Sequence, residues 1–106
     1  MPAAVSDILV TGNVLSAGQI TVGVGHTSTV DRVKVTGNSV KNTATNGTGI
    51  EIGKGTACSI TDNVVWECEG RGIYLNSANV INCTVVGNTC INNGQNGVAP
   101  AGIQVN

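Results

Sequence analysis

An all-β solenoid of stacked coils, with no α-helix, is the fold class this chain predicts, and three observations predict it. Asparagines recur 25 residues apart at Asn13, Asn38, Asn63 and Asn88. Each closes the same short phrase: Ile8-Leu-Val-Thr-Gly-Asn13, Val33-Lys-Val-Thr-Gly-Asn38, Cys58-Ser-Ile-Thr-Asp-Asn63 and Cys83-Thr-Val-Val-Gly-Asn88. Gly, Asn, Thr and Val supply 56 of the 106 residues, an alphabet of strands and turns. A period of this size, with one strand phrase and one fixed turn residue per copy, means that each coil buries its apolar face on the next.

Within the phrase the side chains alternate, as period two requires of a strand. Ile8, Val33, Cys58 and Cys83 form one inward ladder, and Val10, Val35, Ile60 and Val85 a second. Leu9, Lys34, Ser59 and Thr84 point outward, as do Thr11, Thr36, Thr61 and Val86. The asparagine that follows suits a sharp turn: it tolerates a left-handed backbone, and its amide both donates and accepts, so a buried column of asparagines satisfies itself. Leu15, Val40, Val65 and Cys90 then open the next strand.

A second alternating phrase completes each coil: Gln19-Ile-Thr-Val22, Gly49-Ile-Glu-Ile52, Gly72-Ile-Tyr-Leu75 and Gly102-Ile-Gln-Val105. Its isoleucines lie 30, 23 and 30 residues apart, so insertions in one turn are offset by deletions in another. The variable segments, Gly23 to Arg32, Thr43 to Thr48 and Gly94 to Ala101, are where loops emerge. Two aromatics and no Phe predict a thin core of stacked Val, Ile, Leu, Cys and Ala.

From Ile8 to Val105 this pattern resembles the right-handed parallel β-helix of pectate-lyase-like proteins and phage tailspikes. The resemblance implies three strands per coil and an asparagine ladder in the tight turn between the second and third, a place matched by Asn13, Asn38, Asn63 and Asn88. The length allows a single domain over residues 1–106, of three to four coils. The chain starts Met1-Pro-Ala-Ala directly on a repeat and stops at Asn106 just after a strand phrase, so the expectation is a fragment of a longer solenoid, or an oligomer that covers its own ends.

Five basic and six acidic residues leave no electrostatic footprint for nucleic acid, and two aromatics give single strands no stacking platform. No signal peptide or membrane span is visible, so no membrane insertion is expected. Cys58 and Cys83 fall on neighbouring coils within the Cα range of a disulfide, but side chains in register point the same way, and buried free thiols are the reading. The one histidine, His26, lies in a loop-like Gly-Val-Gly-His-Thr-Ser stretch without a catalytic or metal-ligand motif; neither metal nor cofactor is expected.

Chemistry concentrates on the middle coils. Tyr74 and Glu51 share an outward column with Thr21 and Gln104, expected to be exposed. Trp66 follows inward Val65 and so faces out, with Glu67, Glu69 and Arg71 in the turn leading to Tyr74. An exposed indole stacks on the apolar face of a sugar while carboxylate and guanidinium bind its hydroxyls, so Trp66, Tyr74, Glu51 and Arg71 are the candidate carbohydrate contacts; the bland alternative is that Trp66 packs on a loop or a neighbouring subunit. Glu51, Glu67 and Glu69 are the candidate carboxyls if the chain is a polysaccharide hydrolase, and the scattered acids fit a lyase less well. The expectation is a structural or receptor-binding segment of a viral tail fibre or tailspike, homotrimeric, located on the virion or outside the cell, with glycan contact. The alternatives are a polysaccharide-degrading hydrolase or lyase fragment of the same fold, and an ice-binding solenoid suggested by the column Thr11, Thr36, Thr61.

Overall fold

Parallel pairing between copies 25 to 30 residues apart organises the whole chain. The computed structural model describes residues 5–25, 30–76, 79–94 and 102–105. His26, Met1-Pro-Ala-Ala and most of the Gly94 to Ala101 segment lie outside the described residues. The first coil holds β1 (Val5–Ser6), β2 (Leu9–Thr11), β3 (Val14–Leu15) and β4 (Ile20–Val22). The second holds β5 (Val30–Asp31), β6 (Lys34–Thr36), β7 (Ser39–Val40) and β8 (Ile50–Ile52). β9 (Gly55–Thr56), β10 (Ser59–Thr61), β11 (Val64–Trp66) and β12 (Ile73–Leu75) follow, then β13 (Val80–Ile81), β14 (Thr84–Val86), β15 (Thr89–Ile91) and β16 (Ile103–Val105). Corresponding strands stack into four parallel sheets of four, the walls of the solenoid, and the described residues contain no helix.

Each coil thus has four strands where the resemblance implied three. The additional wall, β1-β5-β9-β13, is made of two-residue strands just upstream of the repeated phrase. So short a segment shows no alternation of its own, and only its pairing, such as Val5 with Val30, reveals it.

The inward ladders are those the alternation predicts. Val35, Val40, Ile50, Ile52, Ile60, Val65 and Ile73 are fully buried, with Cys58 and Cys68 beside them. Removing such a side chain from water stabilises by roughly 1.5 to 3 kcal/mol for Val or Ile, and most of that gain comes from the coil above and the coil below. Among the described residues the first and fourth coils are paired on one side, and their inward residues are more exposed: Ile8 at 43% and Ile103 at 49%, against 3% for Val33 and 0% for Ile73.

The asparagine ladder forms as expected. Asn13, Asn38 and Asn63 each donate from backbone N–H and side-chain Nδ2 to the Oδ1 of the next asparagine, at 2.9 to 3.0 Å. Nδ2 of Asn38, Asn63 and Asn88 also donates to the carbonyls of Val10, Val35 and Ile60 one coil back. The backbone reason differs from the one anticipated. The left-handed residue is the one before each asparagine: Gly12 (φ 69°), Gly37 (67°), Asp62 (55°) and Gly87 (71°). That residue makes the corner, and the asparagine then points inward and bonds along the axis. The same device recurs one turn earlier, where Asp7, Arg32, Ala57 and Asn82 are left-handed ahead of Ile8, Val33, Cys58 and Cys83.

Candidate functional site

The outward chemistry of the middle coils separates into two clusters on neighbouring walls, each with a cation over an aromatic ring. On the wall β3-β7-β11-β15, Val65 pairs with Val40, which puts Lys41 one coil above Trp66. Lys41 Nζ sits 4.6 Å from the indole centroid and 3.0 Å from Glu67 Oε2, with side-chain exposures of 25% and 47%. Glu67 is left-handed (φ 48°), so its carboxylate turns off the strand to meet that lysine. An open concavity of about 500 Å³ is lined by Lys41, Thr43, Glu67, Glu69 and Asn92, sharing Lys41 with the Trp66 contact. Asn92, one coil below Glu67, is left-handed as well (φ 50°). The Trp66 wall also carries exposed apolar side chains: Val14 (80%), Val64 (41%) and Ile91 (46%), with Ile91 paired directly to Trp66.

On the wall β4-β8-β12-β16, Thr21, Glu51, Tyr74 and Gln104 align as one column, as the alternation predicted. Tyr74 is not exposed, however: it retains only 7% of its accessible surface. The Arg71 guanidinium lies 4.0 Å over its ring and is held there by a 2.6 Å hydrogen bond from Nε to Gln104 Oε1. The wall is outward, yet its own long side chains cover the ring. Glu51 receives the amides of Gln19 (3.4 Å) and Asn76 (3.1 Å) on its two carboxylate oxygens. The structure therefore groups Trp66 with Glu67 and Glu69, and Tyr74 with Arg71 and Glu51, on either side of the turn joining β11 to β12.

Two contributors escaped the sequence reading. Lys41 becomes a partner of Trp66 only through rung registry, which Val40 opposite Val65 could have signalled. Asn42, which shares an inward corner with Cys68 and Asn93, is the other. Asn93 Oδ1 accepts the Cys68 N–H at 3.0 Å and its Nδ2 donates to Val65 O at 2.9 Å, as a ladder asparagine would. Asn42 instead turns its Nδ2 to Thr48 O (2.9 Å) and accepts from Ala44 N–H (3.1 Å), which ties down the loop that forms one side of the concavity.

Elsewhere on the surface, Arg32 holds Asp7 through a pair of hydrogen bonds of 2.7 and 3.0 Å. That guanidinium, by hydrogen bond and charge, keeps the Asp7 carboxyl below its ordinary pKa and is itself raised. Burial pushes the Cys58, Cys68 and Cys90 thiols up, and all four cysteines are free. Among the described residues no three His, Cys, Asp or Glu side chains gather as metal ligands.

A family profile described as the right-handed β-helix region matches residues 3–104. No curated protein and no solved structure matches the chain. The profile spans nearly every rung, and the stacked parallel sheets agree with its description; the chain belongs to the right-handed β-helix family.

Proposed function

We propose that this chain is a non-catalytic structural segment of a virion-attached or extracellular fibre, homotrimeric, touching surface glycan through the wall that carries Trp66. The observation behind the reading is the half-buried Trp66 indole on an outward position of β11, under the Lys41 that also lines the concavity with Thr43, Glu67, Glu69 and Asn92. Sugar recognition asks for that combination, an apolar ring face with hydroxyl-binding groups at its edge. Lys41 covers the ring in the free chain, so a stacking sugar must displace a cation–π contact of about 0.5 to 1 kcal/mol, whereas the lysine's tie to half-exposed Glu67 is a surface ion pair of about 0 to 1 kcal/mol.

Hydrolysis would need two carboxyls roughly 5 to 9.5 Å apart across the sugar, one of them desolvated. Glu67 is 47% exposed and ion-paired, and Glu51 sits on the other wall between two amides, which supports the non-catalytic reading. One observation favours a second reading, in which Trp66 is a subunit contact: Val14, Val64 and Ile91 are exposed on the same wall.

Trp66→Ala tests both, read out by binding to immobilised polysaccharides and by molar mass. Glycan contact predicts that the substitution removes most binding, about fivefold for one stacking contact of roughly 1 kcal/mol, with the mass unchanged. The interface reading predicts background glycan binding in both chains and a weakened oligomer in the variant. Release of reducing sugar, abolished by Glu51→Gln or Glu69→Gln, would overturn the proposal in favour of a hydrolase.

A further inference from the structure

The wall β2-β6-β10-β14 carries a feature that the surface chemistry leaves unused. Ser59 pairs with Thr84, so Cys58 and Cys83 stand side by side at the entry to β10 and β14, tied by the 2.9 Å bond from Thr84 N–H to Cys58 O. One coil step places their Cα atoms about 4.8 Å apart, within the range a disulfide spans. Their sulfurs converge on the neighbouring corner. Cys58 Sγ donates to Thr56 O at 3.7 Å, and Cys83 Sγ contacts Gly55 O and Ile81 O at 3.5 Å. A Cβ at position 55 would lie 2.7 Å from Cys58 Sγ, so glycine there leaves the space the sulfurs occupy.

The two thiols differ in access. Cys58 is 1% exposed, whereas Cys83 is half-buried in the last coil. We propose that Cys58 and Cys83 are an oxidisable pair, in which Cys83 meets the oxidant and Cys58 resolves it into an intrachain disulfide linking the third coil to the fourth. Burial foremost, and secondarily the adjacent Cys83 thiol, raise the Cys58 pKa, which makes Cys58 the slower first nucleophile and the natural resolving thiol.

With a disulfide oxidant such as oxidised glutathione, the Cys83 thiol loses its proton and its sulfur attacks one sulfur of the oxidant. That S–S bond breaks and one glutathione leaves as thiolate. Cys58 then loses its proton, attacks Cys83 Sγ and expels the second glutathione. Two protein thiols are oxidised to one disulfide and one glutathione disulfide is reduced to two thiols. Because in-register side chains point the same way, the bond forms with strain and is readily reduced, as a reversible link should be. Cys68 and Cys90 lack this placement: Cys90 pairs with Val65, and Cys68 aligns with Asn93. They remain thiols.

The test is to equilibrate the folded chain with oxidised glutathione, alkylate the remaining thiols and map the products by fragmentation mass spectrometry. The proposal expects one link between Cys58 and Cys83, alkyl groups on Cys68 and Cys90, and full reversal by dithiothreitol. In Cys58→Val, chosen because Val33 fills the equivalent place one coil above, Cys83 should retain glutathione as a mixed disulfide. Four alkylated thiols, persistent glutathione on Cys83 in the unmutated chain, or a link that forms only in urea would each overturn it. The map on the unmutated chain is decisive even if the variant folds poorly.

Discussion

Asn63→Ala isolates what the ladder contributes. The Asn63 side chain is fully buried and makes four hydrogen bonds: Nδ2 to Val35 O and Asn88 Oδ1, both 2.9 Å, and Oδ1 from the Asn38 backbone N–H (3.0 Å) and Nδ2 (2.9 Å). Truncation leaves the buried Asn38 N–H without its acceptor. Asn88 Oδ1 keeps the backbone N–H of residue 63, and Asn38 Nδ2 keeps Val10 O and Thr36 O. An orphaned buried donor costs about 1 to 3 kcal/mol and each further lost bond about 0.5 to 1.5 kcal/mol, with partial compensation, so the expected loss is about 3 to 4 kcal/mol. That is a large part of the roughly 5 to 15 kcal/mol that stabilises a domain of this size. Asn13→Ala is the control: Asn13 is exposed and its backbone N–H still reaches Asn38 Oδ1, so less than about 1 kcal/mol should be lost. Urea unfolding followed by circular dichroism measures both. Equal losses in the two variants, or a loss under about 1 kcal/mol for Asn63→Ala, would refute the argument that the buried column satisfies itself.

Val35→Asp or Ile60→Asp places an unpaired charge at a site with no accessible surface, and either should abolish cooperative unfolding at neutral pH; a cooperative transition in both would show that the inward assignment is wrong. The Asp7 carboxyl is depressed by Arg32, so their interaction favours the folded chain above the unfolded carboxyl pKa and is lost as pH falls through the lower folded value. Both groups are exposed, so the check is a direct NMR titration: the Asp7 midpoint should rise in Arg32→Ala, and an unchanged midpoint would remove the pair from the account.

How much was legible follows from which physics acts locally. The asparagine column was readable because an axial amide chain tolerates no change of register, so its period survives in the letters. The inward ladders were readable because alternation and burial coincide in β6 and β10. The left-handed corner at Gly12, Gly37, Asp62 and Gly87 was placed one residue late, since Asn and Gly both suit that conformation and only the angles separate them. Tyr74 was misjudged as exposed because strand alternation says which way a side chain leaves the wall, not what lies over it; Arg71, from the turn just before Tyr74 in the same coil, folds back over the ring, and Gln104 of the next coil holds it there. The β1-β5-β9-β13 wall is too short to carry a pattern. Asn93 keeps the 25-residue spacing from Cys68, but the same corner one coil above is filled by Asn42, one residue off that spacing, which hid the second amide position. Among the candidate site residues, the Trp66, Glu67 and Glu69 grouping was visible in sequence proximity, whereas Lys41 joined it from the coil above.

The proposal of a self-associating fibre segment is tested most directly by molar mass in solution, measured by light scattering on the size-excluded chain at micromolar concentration. The account predicts a single species of three times the 10.6 kDa chain mass; a monodisperse species at 10.6 kDa would contradict it.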